Sequence, residues 1–221
     1  MSYIDALYKK DEDKIYVVER DPKKGRVFVE YDARYVFYYE DARGKHRSMT
    51  GAPLQRVQCA THKDFIKEQR IRSNKKLYEQ DINPVFRCLE ENYLGKETPK
   101  LNTMFFDIEV DFDPERGYST TDDPFMPITA ISCYMSWTDQ LVTLAVPPNT
   151  INMQEAKMLT ERFPNTMLFE KEKDMLDAFL ELVEDADILS GWNSEGYDIP
   201  YTVGRIQKVL SSDDTRRLCF W

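Results

Sequence analysis

Met104-Phe105-Phe106-Asp107-Ile108-Glu109-Val110 is the stretch whose reading decides the fold. Its apolar residues favour a strand, and two carboxylates interrupt them at i and i+2. Successive strand side chains point to opposite faces, so Asp107 and Glu109 share one face while Phe106, Ile108 and Val110 share the other. Two acids projecting together from a mostly buried strand repel each other unless a cation neutralises both, and a divalent metal is the usual remedy. The stretch therefore predicts one wall of a metal site. The competing reading is an edge strand with two solvated acids.

A second stretch, Gly191-Trp192-Asn193-Ser194-Glu195-Gly196-Tyr197-Asp198-Ile199-Pro200-Tyr201, follows about 85 residues later. Asp-Ile-Glu on a strand is a weak signal alone, but paired with Asn-x-x-x-Tyr-Asp it is specific. Together they resemble the first two exonuclease motifs of family B DNA polymerases, most closely those of T4-like phages infecting marine bacteria. The resemblance covers nearly the whole chain and includes Lys76-Leu77-Tyr78-Glu79-Gln80-Asp81-Ile82 and Asp185-Ala186-Asp187-Ile188-Leu189-Ser190-Gly191-Trp192-Asn193. It implies a ribonuclease H-like α/β (α+β) exonuclease domain that removes 3′-terminal nucleotides for proofreading. It also implies two Mg²⁺ or Mn²⁺ ions in the completed site. Asp107 would bridge both ions, Glu109 would bind the ion holding the attacking water, and Asp198 would support the other. Asn193 and Tyr197 would contact the substrate, the single-stranded 3′ end of DNA. Packing at the helix entry competes as the reading of Tyr197, and an N-cap as the reading of Asp198.

Composition sets the bounds. With 221 residues, 42% hydrophobic and 31% charged, the chain reads as globular, with one large or two small domains. No apolar run reaches the roughly 18 residues that span a bilayer, and the charged start Met1-Ser2-Tyr3-Ile4-Asp5 reads as no signal peptide. A phage product in the cytoplasm of its host, with no membrane partner, is the expectation. Cys59, Cys88, Cys133 and Cys219 are scattered, and with His46 and His62 they offer no zinc-ligand spacing, so four reduced thiols are expected, Cys133 in a core strand. The net charge of −9 is uneven: residues 1–100 hold 21 Lys and Arg against 17 Asp and Glu, residues 101–221 hold 9 against 22. An acidic half can act on a phosphodiester only where bound cations create the local positive field.

Residues 1–98 read as a small β-rich domain of the type that opens family B polymerases, and 99–221 as a partial exonuclease domain. In the first, Lys14–Glu19 and Arg26–Phe37 flank the turn Asp21-Pro22-Lys23-Lys24-Gly25 as a hairpin. Residues 61–75 form a basic helix capped by Thr61, suited to a nucleic-acid backbone or simply to solvent. Pro84–Tyr93 is a second helix, and Gly95-Lys96-Glu97-Thr98-Pro99 a linker. In the second, Asp111–Pro127 is a loop whose Asp111 and Asp113 read as loop residues rather than ligands. Ile128–Trp137 and Leu141–Val146 form a hairpin, followed by a helix over 152–162, a strand over 166–169, a helix over 171–184, a buried strand at Asp187–Gly191 and a helix over 199–210 opened by Pro200.

The family completes its site with a third motif, Tyr-x-x-x-Asp, followed by polymerase regions. In the family that motif lies on a helix well downstream of the second; after Asp198 the only aspartates here are Asp213 and Asp214, and neither has a tyrosine four residues earlier, so one carboxylate and one tyrosine of that set are not supplied there. Three expectations follow: a proofreading part completed by the remainder of the polymerase, a separate chain included; a non-catalytic binding or assembly module; and a self-sufficient nuclease. The first ranks highest, with the lone chain inactive.

Overall fold

The computed structural model describes residues 2–21 and 23–221, which form two compact units, residues 1–99 and 100–221. In the first, β1 (Ser2–Lys9), β2 (Lys14–Asp21) and β3 (Gly25–Asp32) make an antiparallel meander. At the β2–β3 turn Asp21 Oδ1 accepts from the backbone N–H groups of Lys23 and Lys24, and Gly25 takes φ 74°, which costs glycine little; Pro22 lies outside the described residues. A second antiparallel sheet follows from β4 (Tyr35–Glu40), β5 (His46–Arg47), β6 (Pro53–Cys59) and β7 (Leu77–Tyr78), in the order β5-β6-β4-β7. The segment read as one strand over 26–37 thus breaks into β3 and β4 in separate sheets, and β1 carries no clear sequence signal. Beside the break, Asp13 accepts from the Ala33 N–H at its carbonyl at 2.8 Å, and its Oδ1 accepts from Tyr35 Oη at 2.5 Å and from the His62 N–H at 2.8 Å. Helix α1 (His62–Ile71) begins where Thr61 caps the Asp64 N–H, and α2 (Pro84–Tyr93) where Asn83 caps that of Val85. Phe65 of α1 packs on Tyr35 and Phe37, ring centroids 5.5 and 5.6 Å apart.

The second unit is built on one mixed sheet: β8 (Thr103–Val110), β9 (Ile128–Met135), β10 (Gln140–Ala145), β11 (Thr166–Leu168) and β12 (Ile188–Ser190), ordered β11-β10-β9-β8-β12. β8, β9 and β10 are antiparallel neighbours, while β11 runs parallel to β10 and β12 parallel to β8. Three helices complete it: α3 (Met153–Thr160), opened by a capping box of Asn152 and Glu155, α4 (Glu172–Val183) and α5 (Asp198–Val209). Met104, Phe106 and Ile108 of β8 belong to a core shared with Met175, Leu176 and Phe179 of α4 and with Tyr201 and Ile206 of α5. Phe106 and Phe179 approach to 5.4 Å between centroids. Cys133 is fully buried in β9, where burial alone pushes its thiol up to about 12. The short β12 is half exposed at the sheet edge, not buried as its apolar sequence predicts.

The loop between β8 and β9 is irregular but pinned. Ser119 Oγ accepts from the Phe125 N–H at 2.8 Å and donates to the Asp123 carbonyl at 2.9 Å. Arg205, 8% exposed, forms a bidentate pair with Glu172 and donates to the Pro124 carbonyl at 2.9 Å and the Phe125 carbonyl at 3.2 Å. Glu172 Oε1 also accepts from the Ile128 N–H at 2.8 Å, and Tyr201 Oη donates to the Met126 carbonyl at 2.8 Å. One guanidinium therefore ties together α4, α5 and the entry to β9.

Removing one member of such a pair strands the other, at about 3–5 kcal/mol. Arg205→Ala should lower the unfolding free energy of this unit by about that much in urea titrations. Arg205→Lys should recover only part of it, because an ammonium cannot reproduce the fork.

Candidate active site

β8 alternates cleanly: Met104, Phe106 and Ile108 are buried, while Phe105, Asp107 and Glu109 are exposed. The acids do share a face, as their spacing predicts. That face is open, which corrects the reading of a mostly buried strand: the core lies on the opposite side, and these two charges are reached by solvent. Glu109 precedes a register irregularity between Glu109 and Val110 in the pairing with β9.

The desolvated acid is Asp198. Its residue is 4% exposed, and its Oδ1 accepts from the Ile108 N–H at 3.2 Å. Pairing with β12 reaches only Phe105, opposite Ser190. Past that point the chain turns away at Gly191, where a Cβ would sit 2.3 Å from the Phe106 carbonyl oxygen, so only glycine allows the approach. The carboxylate of Asp198 then occupies the edge position that a continuing strand would have filled. It lies in the first turn of α5, where the helix dipole favours an anion, and Tyr197 rather than Asp198 is the N-cap. Burial raises its pKa; backbone hydrogen bonds from Ile108 and its own amide oppose this, and the nearby Asp107 charge raises it further.

Between β12 and α5 the chain makes a tight turn in which the amides of Gly196 and Tyr197 donate to the Asn193 carbonyl, both at 3.0 Å. Asn193 is exposed with φ 54°, a conformation asparagine tolerates. Tyr197 is half buried against the core, its ring stacked on Tyr201 at 5.4 Å, the packed arrangement of a helix entry. Ser190, Gly191, Asn193, Ser194, Glu195 and Ile199 line an open cleft of about 870 Å³. Trp192, 92% exposed, stands on the same turn. At the other end, Phe112 and Tyr118, 48% and 85% exposed, pair at 4.9 Å on the loop that follows β8. Asp113 has its carboxylate spent on the amides of Glu115 and Arg116, which hold its pKa low.

Residues 55–219 match the DNA polymerase family B exonuclease domain. The chain belongs to this family.

Similarity to family B polymerases extends to individual proteins. The chain is 27% identical to the DNA-directed DNA polymerase of Escherichia phage RB69 over 197 residues, which cover 79% of this chain and 22% of that protein. It is 38% identical to the DNA-directed DNA polymerase of Enterobacteria phage T4 over 53 residues, 23% of this chain and 6% of that one. The DNA polymerase catalytic subunit of Saimiriine herpesvirus 2 is 31% identical over 119 residues, 52% of this chain and 11% of the relative. The chain thus spans about a fifth or less of the length of these curated relatives. The mixed sheet of the second unit is that of a ribonuclease H-like exonuclease domain of this family.

The donor chemistry suits a hard cation: carboxylate oxygens, with Asp107 close enough to Asp198 to raise its pKa and Glu109 one pleat along. No group of three His, Cys, Asp or Glu side chains that could hold a metal occurs among the described residues. The fit is to an open two-carboxylate seat, Asp107 with Asp198, whose other oxygens would come from water or substrate. Sequence reasoning missed Gly191, Arg205 and Glu172. Only the glycine carried a signal, closing the short strand Ile188-Leu189-Ser190.

Because the folded pKa of Asp198 exceeds the unfolded value, its charge opposes folding above the folded pKa, and that cost disappears as pH falls below the unfolded value near 4. Asp198→Asn keeps an acceptor for Ile108 and removes the charge. In chelator at pH 7 it should raise the melting temperature by roughly 3 °C, the effect of about 1 kcal/mol. The gain should vanish in melts at about pH 3; a lower melting temperature at pH 7 would refute it.

Proposed function

We propose that residues 99–221 form part of the 3′–5′ proofreading exonuclease of a phage family B DNA polymerase, and residues 1–98 its nucleic-acid-facing first domain. The observation that carries this is the junction of Asp198 with the Asp107-Ile108-Glu109 strand, which brings together acids some 90 residues apart. The substrate is the single-stranded 3′ end of DNA, and the setting is the host cytoplasm; among the described residues no helix is long and apolar enough to cross a membrane.

Asp107, Glu109 and Asp198 would hold two divalent cations, Mg²⁺ or Mn²⁺. Bound there, such ions supply an ionised water at neutral pH and screen the leaving oxygen. The chain's own contribution is geometric. Asp198 is held by the Ile108 amide so that its charge faces that of Asp107, and desolvation makes this pair costly until a cation arrives. The side-chain amide of Asn193 offers donors to phosphate or sugar oxygens. Tyr197, packed on Tyr201, supports the turn, while Trp192, Phe112 and Tyr118 expose rings on which unpaired bases can stack.

The absence of a third converging ligand among the described residues favours a second reading, a non-catalytic nucleic-acid-binding or assembly module of a split polymerase. Activity separates the two. Residues 1–221 alone should release almost no 3′ nucleotide from labelled single-stranded DNA in single-turnover assays with Mn²⁺. A complementing chain that bears the family's Tyr-x-x-x-Asp helix should restore release. Asp107→Ala, Glu109→Ala or Asp198→Ala should each cut the restored rate by about three orders of magnitude, since such sites act as a unit, while Asp113→Ala should leave it intact. No restoration by any complementing chain would favour the module; robust cleavage by residues 1–221 alone would point to a self-sufficient nuclease.

A further inference from the structure

The motif Asn-x-x-x-Tyr-Asp leaves three positions open, and Gly196 fills the last of them. Gly196 does not take a positive φ, so its backbone conformation is one that other residues adopt freely. Space is what singles it out. A Cβ there would lie 2.6 Å from Asn193 Oδ1 and 3.3 Å from Asn193 Cγ, whereas non-bonded carbon contacts settle at about 3.5–4.0 Å. The obstacle differs in kind from that at Gly191, where the nearest atom is a main-chain oxygen of β8. At Gly196 it is the end of an exposed side chain, which lies over the bare Cα of the glycine.

The main chain of Asn193 is fixed. Its φ is 54°, and its carbonyl accepts from the N–H groups of Gly196 and Tyr197, both at 3.0 Å. Its side-chain amide, by contrast, makes no hydrogen bond among the described residues. Nδ2 is the atom of that amide farthest from the missing Cβ, at 3.5 Å, so the N–H donors are turned away from Gly196. Both residues line the open cleft between β12 and α5, and among the described residues no Lys or Arg does. The amide of Asn193 therefore offers two N–H donors where Ser190 and Ser194 offer one hydroxyl each. A donor already seated binds better than a free one, because ordering a side chain at the moment of binding costs entropy.

We propose that Gly196 is a positioning residue, whose missing Cβ seats the Asn193 amide so that Nδ2 meets a phosphate or sugar oxygen of the 3′-terminal nucleotide. This role rests on the cleft receiving DNA as proposed above. A side chain in place of Gly196 leaves the main chain of the turn intact and swings the amide aside.

The test is a titration of the full chain with deoxythymidine 5′-monophosphate in Mg²⁺, followed by NMR of the side-chain NH₂ groups, the Asn193 pair being assigned by its loss in Asn193→Ala. Binding needs no turnover, so the result stands whether or not residues 1–221 cleave DNA, and the release assay alone decides proofreading. In the unaltered chain the Asn193 pair should move with added nucleotide and saturate. Gly196→Ala should shift that pair before any nucleotide is added, leave the melting temperature unchanged and weaken binding about 5-fold, the loss of one hydrogen bond. Asn193→Ala should weaken binding equally, and Gly196→Ala added to it should change nothing further, a coupling that a general structural role would not produce. Four results would each overturn the proposal: unweakened binding by Gly196→Ala, a lowered melting temperature in that variant, further weakening in the double variant, or an Asn193 pair that the nucleotide leaves unmoved in the unaltered chain.

Discussion

The second unit turns on a single acceptor at a sheet edge. β8 needs a partner for the Ile108 N–H once β12 has ended, because an unpaired buried amide costs about 1–3 kcal/mol. A side-chain carboxylate meets that need, and in doing so is drawn out of water and set beside Asp107. Structural satisfaction and chemical tension thus come from the same contact. A main-chain partner at that position would have given a longer sheet and no acid pair. Gly191 makes the arrangement possible by letting the departing chain pass the Phe106 carbonyl before Asp198 returns.

The pinned loop and α5 serve that contact from a distance. Arg205 lies two turns along the helix from Asp198 and fixes it against α4 and the 124–125 carbonyls, so the position of the carboxylate depends on a buried ion pair far from the exposed acids. The irregular segment between β8 and β9 is thus held by side-chain hydrogen bonds from Ser119, Glu172, Tyr201 and Arg205. Irregularity here reflects side-chain in place of ladder bonding, not looseness.

Much of this was legible in the residues themselves. The period-two alternation of β8, the Thr61 cap, the apolar face of α4 and the spacing of the two acidic motifs all express local rules, and the structure follows them. What was not legible depends on partners distant in sequence. How far the carboxylate face of β8 is left open depends on which elements pack over it, and those lie outside Met104–Val110. Arg205 sits in an amphipathic helix where an arginine ordinarily reads as solvent-facing. β1, with its polar alternation, becomes a strand only because β2 offers it an edge, and at the break before Tyr35 the Ala33 N–H turns to the distant Asp13 carbonyl. Asp198 could be placed at the start of α5 by its proline neighbour, but its acceptor role toward Ile108 required the sheet.

The parallel pairing of β12 with β8 has a consequence for how the chain is made. Asn102 donates to Asp187 across 85 residues, and Ile108 to Asp198 across 90. At roughly 5–20 residues per second of synthesis, β8 emerges some 5–20 s before the segment that completes its far edge. During that interval β9 can pair one side while the other remains an open template, and a long-range closure of this kind is slow even for a finished chain. The charges at Asp107 and Glu109 then act as gatekeepers, discouraging another nascent strand from adding to the same edge.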